Sequence, residues 1–470
     1  RAPQPPSPAT QLRAALQDAR STGLGAEDAL YAHAEELLRE HEKGRDASRA
    51  ELRDALAASG RAGEPLPEAA QLLQIRERLV RSLASAKRAG LPDDELREAE
   101  LRRRRVHNAI EDLKGQIRVF CRVRPLSSKE ASEGDLEAVQ IVDDMTLEVP
   151  RGGQFSFDSV FAPGSQEEVF DECKDLIQSA VDGHNVTIFA YGQTGAGKTF
   201  TLYGTPEQEG IAPRAIVELF RIVDGLRERC AVSVSGSMVE LYNNTLVDLL
   251  RPARQGGPGG LVGAPRLSVR QDRAGTVQVE RLFEREAADA GQLRALLERG
   301  LAQRRVAASA MNIRSSRSHL VFTIRVSSTN PATGEVLSGK ILLCDLGGSE
   351  RLKKTEAAGD QRREAIEINK SLTALGDVIE AVARRQRQVP YRNHKLTQIM
   401  QDSLGGTAKT LMFVNCSPAW SNLSETLMSL TYAARTKRIT NLGAPSSSSS
   451  TSSPLARKRS EATLVGLPEA

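Results

Sequence analysis

The run Val186-Thr187-Ile188-Phe189-Ala190-Tyr191, β-branched and aromatic, leads straight into Gly192-Gln193-Thr194-Gly195-Ala196-Gly197-Lys198-Thr199. The first has the composition of a buried strand. The second fits GxxxxGK[ST] at every fixed position. Strand, glycine-rich loop and helix in that order commit this part of the chain to an α/β layering, a central sheet with helices on both faces. Glycines let successive backbone N–H groups wrap a phosphate chain, and the start of the following helix adds a favourable dipole. Lys198 is placed to reach the β- and γ-phosphates, and the Thr199 hydroxyl to bind Mg²⁺. A chance match on a loop is the competing reading, and the strand immediately before the loop argues against it. The eight loop residues are therefore expected to bind a nucleoside triphosphate.

Composition bounds how much of the chain joins that unit. Of the eighteen Phe, Tyr and Trp in 470 residues, seventeen lie between Phe120 and Tyr432, and the other is Tyr31. Aromatic side chains carry much of the burial in a packed core. One globular unit with two flanking segments is thus expected, in place of the three equal domains that length suggests. The flanks are not expected to build such a core. Lys and Arg number 64 against 60 Asp and Glu, a net charge of +4, so the total gives no electrostatic case for nucleic acid. No uncharged apolar run approaches the ~18 residues of a membrane span. Cys121, Cys173, Cys230, Cys344 and Cys416 are scattered singly, which suggests neither a zinc site nor a disulfide framework and points to a reducing intracellular compartment. The start, Arg1-Ala2-Pro3, has no signal-peptide pattern and no Met, and reads as a fragment or processed form.

Residues 1–91 are rich in Ala, Glu, Arg and Leu and read as partly helical or disordered. In Gln71 to Lys87, for example, Leu72, Ile75, Leu79 and Leu83 share one helical face. Over residues 92–114, Leu96, Ala99, Arg103, Val106, Ile110 and Leu113 recur at alternating spacings of three and four, the seam of a coiled coil. Two readings stay open for this neck: a short coiled coil that makes a homodimer, and a single helix lying against the globular unit. The globular unit is expected over 115–441 and a disordered tail over 442–470. In the tail, Ala444 to Pro454 reads APSSSSSTSSP. The cluster Arg457-Lys458-Arg459, followed by Leu464, Val465 and Leu467 but interrupted by Gly466 and Pro468, reads as a solvated tail rather than a calmodulin-binding helix.

Two further segments bear on the phosphate loop. Asn312-Ile313-Arg314-Ser315-Ser316-Arg317-Ser318-His319 opens a strand-like run, and Lys340 to Cys344 is a second buried strand ending in Asp345-Leu346-Gly347-Gly348-Ser349-Glu350. Asp345, at a strand end, is placed to hold the Mg²⁺ shell through water. Gly348 offers a backbone N–H to the γ-phosphate, and the hydroxyls of Ser315 and Ser316 can close on it, Ser316 also toward the metal. Arg317 and Glu350 have opposite charge and can latch the two loops together when the γ-phosphate is present. His319 and His394 lack paired ligands for a metal, and His319 is expected to hydrogen-bond within its own strand.

Together the three segments resemble the kinesin motor domain: the loop GQTGAGKT, a first switch NxxSSRSH at Asn312–His319 and a second switch DxxGSE at Asp345–Glu350. Arg122-Val123-Arg124-Pro125 resembles the family's adenine-holding RxRP element, and Tyr242–Leu250 and Ile368–Leu372 also fit. Ser318-His319 and Ser349-Glu350 favour kinesin over myosin. The resemblance implies a P-loop NTPase kinesin motor fold, with a mixed, mostly parallel central sheet and a helical neck. It also implies ATP and Mg²⁺ as cofactors, with ATP hydrolysis stimulated by microtubules. Glu350, supported by Arg317, would orient the attacking water or relay its proton. Phe200 either stacks on adenine opposite Pro125 or packs in the core. The tubulin-facing groups would be Arg351, Lys353 and Lys354 after the second switch, and Arg384, Arg385, Arg387, Arg392 and Lys395 before the last helices. A helix from near Glu364 past Leu375 links the two.

The neck ahead of the motor resembles the C-terminal-motor, minus-end-directed kinesins. Met238–Tyr242, Thr245–Leu250 and Tyr391–Thr397 look most like the kinesin-like calmodulin-binding proteins of plants and green algae. The serine run stands where that group has its calmodulin helix, which leaves calmodulin open. A cytoplasmic, microtubule-associated location follows from the resemblance. The chain departs from the family at Gly347, where kinesins usually have Ala, at Asn244 and at Ser309-Ala310. A non-motile microtubule crosslinker with a slow ATPase is the alternative reading.

Overall fold

The computed structural model describes residues 8–441 except 24–27, 61–68, 93–94, 97, 100–101, 104, 107–109, 111–114, 228–229, 253–264, 273–275, 310–313, 332–333, 335 and 352–359. Its strands are β1 (Arg118–Val123), β2 (Gln140–Ile141), β3 (Thr146–Val149), β4 (Gly153–Ser156), β5 (Ser159–Phe161), β6 (Asn185–Tyr191), β7 (Ala231–Tyr242), β8 (Thr245–Asp248), β9 (Ser268–Gln271), β10 (Val277–Glu280), β11 (Arg285–Glu286), β12 (His319–Thr329), β13 (Val336–Asp345) and β14 (Lys409–Cys416). The central sheet runs β11–β7–β12–β13–β6–β14–β1–β5, with β8 hairpinned onto β7. From β13 to β5 the neighbours are parallel. From β11 to β13 they are antiparallel. A β9–β10 ribbon and a small β2–β3–β4 sheet lie apart from it.

The strand before the phosphate loop shows how the core is divided. Side chains alternate across a strand, and in β6 Val186, Ile188 and Ala190 enter one buried cluster while Phe189 and Tyr191 enter the other. The first cluster takes up α6 (Asp175–Val181), α8 (Ile211–Leu226) and α9 (Ala290–Ser309). The second takes up α10 (Asp360–Ala383) and α12 (Leu423–Thr436). Tyr191 and Tyr432 stack across the second face with ring centroids 4.1 Å apart. The shorter helices are α4 (Ser128–Ser132), α5 (Gln166–Asp171), α7 (Lys198–Leu202) and α11 (Lys395–Ile399). Both ends of this unit meet, since Ile117 N–H donates to Ile439 O and Asn441 N–H to Gly115 O.

The helix expected to begin near Glu364 starts earlier, at Asp360. Asn244 has a concrete reason: it and Asn243 form the tight turn between β7 and β8 at φ 55° and 46°, left-handed values that Asn tolerates.

Upstream, three helices form, α1 (Pro8–Ser21), α2 (Ala29–Ala58) and α3 (Ala69–Arg88), and the described residues between 95 and 110 are helical. Contrary to the expectation from aromatic content, this region builds an aliphatic core. Leu52 packs with Leu83, Ala86, Leu91, Leu96 and Ala99, and Ala55 with Leu72, Ile75, Leu79, Val106 and Ile110. Ser48 meets Ser85, whereas Arg49 meets Glu95 and Arg102 meets the Ser59 carbonyl. The neck helix thus runs parallel to α2 and antiparallel to α3, completing a three-helix bundle. Among the described residues, the seam positions Leu96, Ala99, Val106 and Ile110 are covered by the upstream helices. Arg103, expected on the seam, turns instead to Asp144 in the β2–β3 turn and ties the bundle to the globular unit. Leu113 and the tail 442–470 lie outside the described residues.

A candidate nucleotide site at the parallel strand ends

In open α/β sheets, ligands bind beyond the carboxyl ends of parallel strands, and three loops meet there. The phosphate loop leaves β6, Asp345 closes β13 beside Ala190 of β6, and Asn415 stands near the end of β14 with Ser417 just beyond it. Gly192 has φ 146°, and a Cβ there would fall 2.2 Å from the Asn415 carbonyl oxygen, so only glycine lets the loop cross β14 so closely. Gly197, at φ 100°, starts α7 in the left-handed region. A cavity of about 270 Å³ is lined by Thr194, Gly195, Gly197, Lys198, Thr199, Phe200, Ser316, Asp345 and Leu346.

Within it, Lys198 is buried, and its ammonium donates to the Gly192 and Gln193 carbonyls at 2.8 and 2.9 Å. Burial lowers its pKa, against the raising influence of Asp345 and Glu350. Thr199 Oγ1 donates to Asp345 Oδ2 at 2.7 Å. Arg304 of α9, which nothing in the sequence singled out, donates to the same oxygen at 3.1 Å and lies 3.8 Å from Glu240. Asp345 Oδ1 is buried without a hydrogen-bond partner among the described residues. A carboxylate oxygen left bare beside the Thr199 hydroxyl suits a hydrated divalent cation, and the lysine and glycine-rich loop suit a phosphate chain. The residues fit Mg²⁺ and a nucleotide.

The second switch is stitched to its neighbours by four consecutive amides. Leu346 and Ser349 donate to Ala190 and Gly192 of the β6–phosphate-loop segment, at 3.3 and 3.1 Å. Gly347 and Gly348 donate to the first switch, at His319 Nδ1 (3.0 Å) and Ser316 O (2.9 Å). The Gly348 amide expected at a γ-phosphate is therefore held by Ser316 here. Ser316 stands in the single 3-10 turn Arg314–Arg317, which also contains Ser315.

The Arg317–Glu350 latch is an expectation for the γ-phosphate-bound state, and here each side chain has another partner. Arg317 pairs with Glu364 of α10 at 2.9 Å, and Tyr242 also donates to Glu364. Glu350 instead accepts from the Thr194 amide at 2.8 Å and the Thr194 hydroxyl at 2.6 Å, bonding the second switch to the phosphate loop. The short hydroxyl-bearing loop residue offers Glu350 two donors at once, whereas Glu364 is the carboxylate that α10 presents to Arg317. His319 likewise leaves its own strand: besides Gly347 it reaches Ser371 of α10, with Nε2 2.7 Å from Oγ.

The adenine element divides. Arg122 is buried, donates to the Pro163 and Gly164 carbonyls, Gln166 and Thr201, and lies 5.3 Å over the Phe200 ring. Burial lowers its pKa to about 10. It is a strut beneath the loop, and its guanidinium covers one face of Phe200. Arg124 clasps Glu130 at 2.6 and 2.7 Å and donates to Gly195 O at 2.8 Å, while Pro125 is exposed. Gln193 donates to Asn422, and Asn415 to Thr201, and Ala196 is buried under the loop.

Of the basic residues, Arg351, Arg385, Arg387 and Arg392 are exposed, and Arg384 pairs with Glu380 at 2.6 Å. Lys395 is engaged, donating to Asn244 O at 2.7 Å. Lys353 and Lys354 lie outside the described residues. A groove of about 1010 Å³ opens beside Arg387 and Arg392, lined also by Val269, Arg270 of β9, Val389 and Tyr391, with no carboxylate lining it among the described residues.

The family model described as the kinesin motor domain matches residues 122–439. Kinesin-like protein KIN-14E of Arabidopsis thaliana is 48% identical over 352 residues, covering 73% of this chain and 27% of that protein. Kinesin-like protein KIN-14I of Oryza sativa subsp. japonica is 48% identical over 350 residues, covering 73% and 28%. A solved structure described as a fast kinesin superposes with a TM-score of 0.65 at 36% identity, covering 72% of this chain and 96% of that one. The chain thus spans little more than a quarter of the length of these two curated relatives.

Proposed function

The chain belongs to the kinesin motor-domain family, and on that premise we propose that it hydrolyses ATP under microtubule stimulation and moves along the microtubule toward its minus end. The observation that carries the ATPase reading is the meeting of phosphate loop and both switches around one cavity, with the bare Asp345 Oδ1 beside Thr199. Lys198, with Gly192 to Thr199, would hold the phosphates. Thr199 and Ser316, with Asp345 through water, would hold Mg²⁺. When bound, the ion would neutralise charge that develops on the transferred phosphoryl group. Ser315, Ser316 and the Gly348 amide would close on the γ-phosphate. Glu350 would orient the attacking water after leaving Thr194, with Arg317 steadied on Glu364. Phe200, Arg124 and Pro125 would hold the base, a reading supported by Phe200 in the cavity wall and by the Arg124 bond to Gly195 O.

For the track, the exposed arginines around the groove favour an acidic partner, as tubulin is, and they are carried on the segment that follows α10. The minus-end direction rests on the neck helix preceding the motor. Steady-state ATPase with and without microtubules tests the first part: stimulation is expected, and its absence would favour a slow crosslinker. Gliding on polarity-marked microtubules tests the second, and plus-end-directed motion would overturn it.

A further inference from the structure

We propose that His319 and Ser371 are positioning residues that transmit the state of the nucleotide loops to α10, which ends at the basic segment 384–392. This rests on the reading of the site as a microtubule-stimulated ATPase. The hydrogen bonds run in one direction. A backbone amide can only donate, so Gly347 N–H fixes Nδ1 of His319 as the acceptor. The proton then sits on Nε2, which donates to Ser371 Oγ, and Ser371 Oγ donates onward to the Ile368 carbonyl at 2.6 Å. His319 and Ser371 are 1% and 2% exposed, so water does not substitute for either partner. Burial holds the imidazole neutral, with its pKa lowered to about 3, which keeps this single tautomer.

The same turn of α10 meets the second switch a second time. A Cβ on Gly347 would lie 2.8 Å from Ile368 Cδ1 and 3.3 Å from Ser316 O, so its absence lets the switch bed between α10 and the first switch. The next amide, Gly348, is the one held by Ser316 O. A γ-phosphate that draws Gly348 N–H from Ser316 shifts Gly347 with it. His319 and Ser371 carry that shift into the helix turn 368–371. Two loop arrangements thus bias one helix, which is the physical requirement for coupling.

Ser371→Ala removes the only atom by which His319 reaches α10 in this chain of bonds, and Ser371→Thr restores a hydroxyl. In Ser371→Ala, basal ATP turnover is expected to stay within about twofold of the parent, while microtubule-stimulated kcat falls about tenfold or more with little change in KM for ATP. Ser371→Thr should recover most of it. Amide hydrogen exchange over residues 364–376, compared between ADP and ADP with beryllium fluoride, is expected to differ in the parent and not in Ser371→Ala. Parent-like stimulation, an undiminished exchange difference, or equal loss of basal and stimulated turnover would each overturn the proposal. If the parent itself shows no stimulation, the microtubule reading fails separately, and the exchange comparison still decides the relay.

Discussion

At Glu350 two jobs compete for one carboxylate. Bonded to the Thr194 amide and hydroxyl, it ties the second switch to the phosphate loop, and in the proposed reaction it would have to leave that position to meet a water. Glu350→Ala is therefore expected to keep ATP binding and lose turnover by about a hundredfold or more, the scale of general acid–base assistance. Fluorescent-nucleotide binding and single-turnover hydrolysis check this, and near-parent stimulated turnover would remove Glu350 from its role. His319 makes a pH prediction. Its imidazole titrates near 3 when folded, kept low first by burial and then by the positive charge of His394, Arg304 and Lys198, against an ordinary value of 6.5. Between those values the unfolded chain binds the extra proton. Its contribution to stability is present above pH 6.5 and lost as pH falls toward 3, at up to about 1.4 kcal/mol per pH unit. Denaturation of the parent and His319→Gln between pH 4.5 and 7 should show a shallower loss in the variant.

At the scale of elements, the β9–β10 ribbon is fastened by a buried ion pair that the sequence pattern does not reveal. Lys340 of β13 meets Asp402, which also accepts from the Val277 amide at 3.2 Å, and Lys340 donates to Val277 O at 3.3 Å. Asp402→Ala leaves the ammonium buried and unpaired and should cost about 3–5 kcal/mol, while Lys340→Met with Asp402→Leu should recover most of it. Urea unfolding measures both. Strand β6, the phosphate loop and the ends of β13 were legible because their signals are local: β-branched runs, fixed glycines, an acid at a strand end. Arg304, Glu364, Asn415 and Glu130 were not. Each matters through a partner more than forty residues away or, for Glu130, through a cap that positions Arg124, and no local period marks such pairs. Opposite charge marks Arg317 and Glu350 as groups that can attract, and not the partners each takes here, Glu364 and Thr194.

For the whole molecule, the bundle changes what the neck is free to do. Leu96, Ala99, Val106 and Ile110 are buried against α2 and α3 of the same chain. Sedimentation equilibrium should give the mass of one chain, and a stable dimer at micromolar concentration would show that the bundle opens. The exposed arginines at the groove make a second whole-molecule prediction. The microtubule concentration for half-maximal stimulation should rise steeply with salt as screening shortens to about 8 Å near 0.15 M, with basal turnover little changed.

The sequence alone determined the layered α/β core, the limits of its aromatic-rich unit and the identity of the phosphate-binding loop. All three rest on short-range regularities of spacing and residue type. Only the tertiary structure decided which acid holds Arg317, where the Gly348 amide goes, that His319 reaches α10 and that Leu96, Ala99, Val106 and Ile110 of the neck are already covered. Those outcomes depend on which segments distant in the chain are brought within hydrogen-bond reach, and packing of the whole fold sets that.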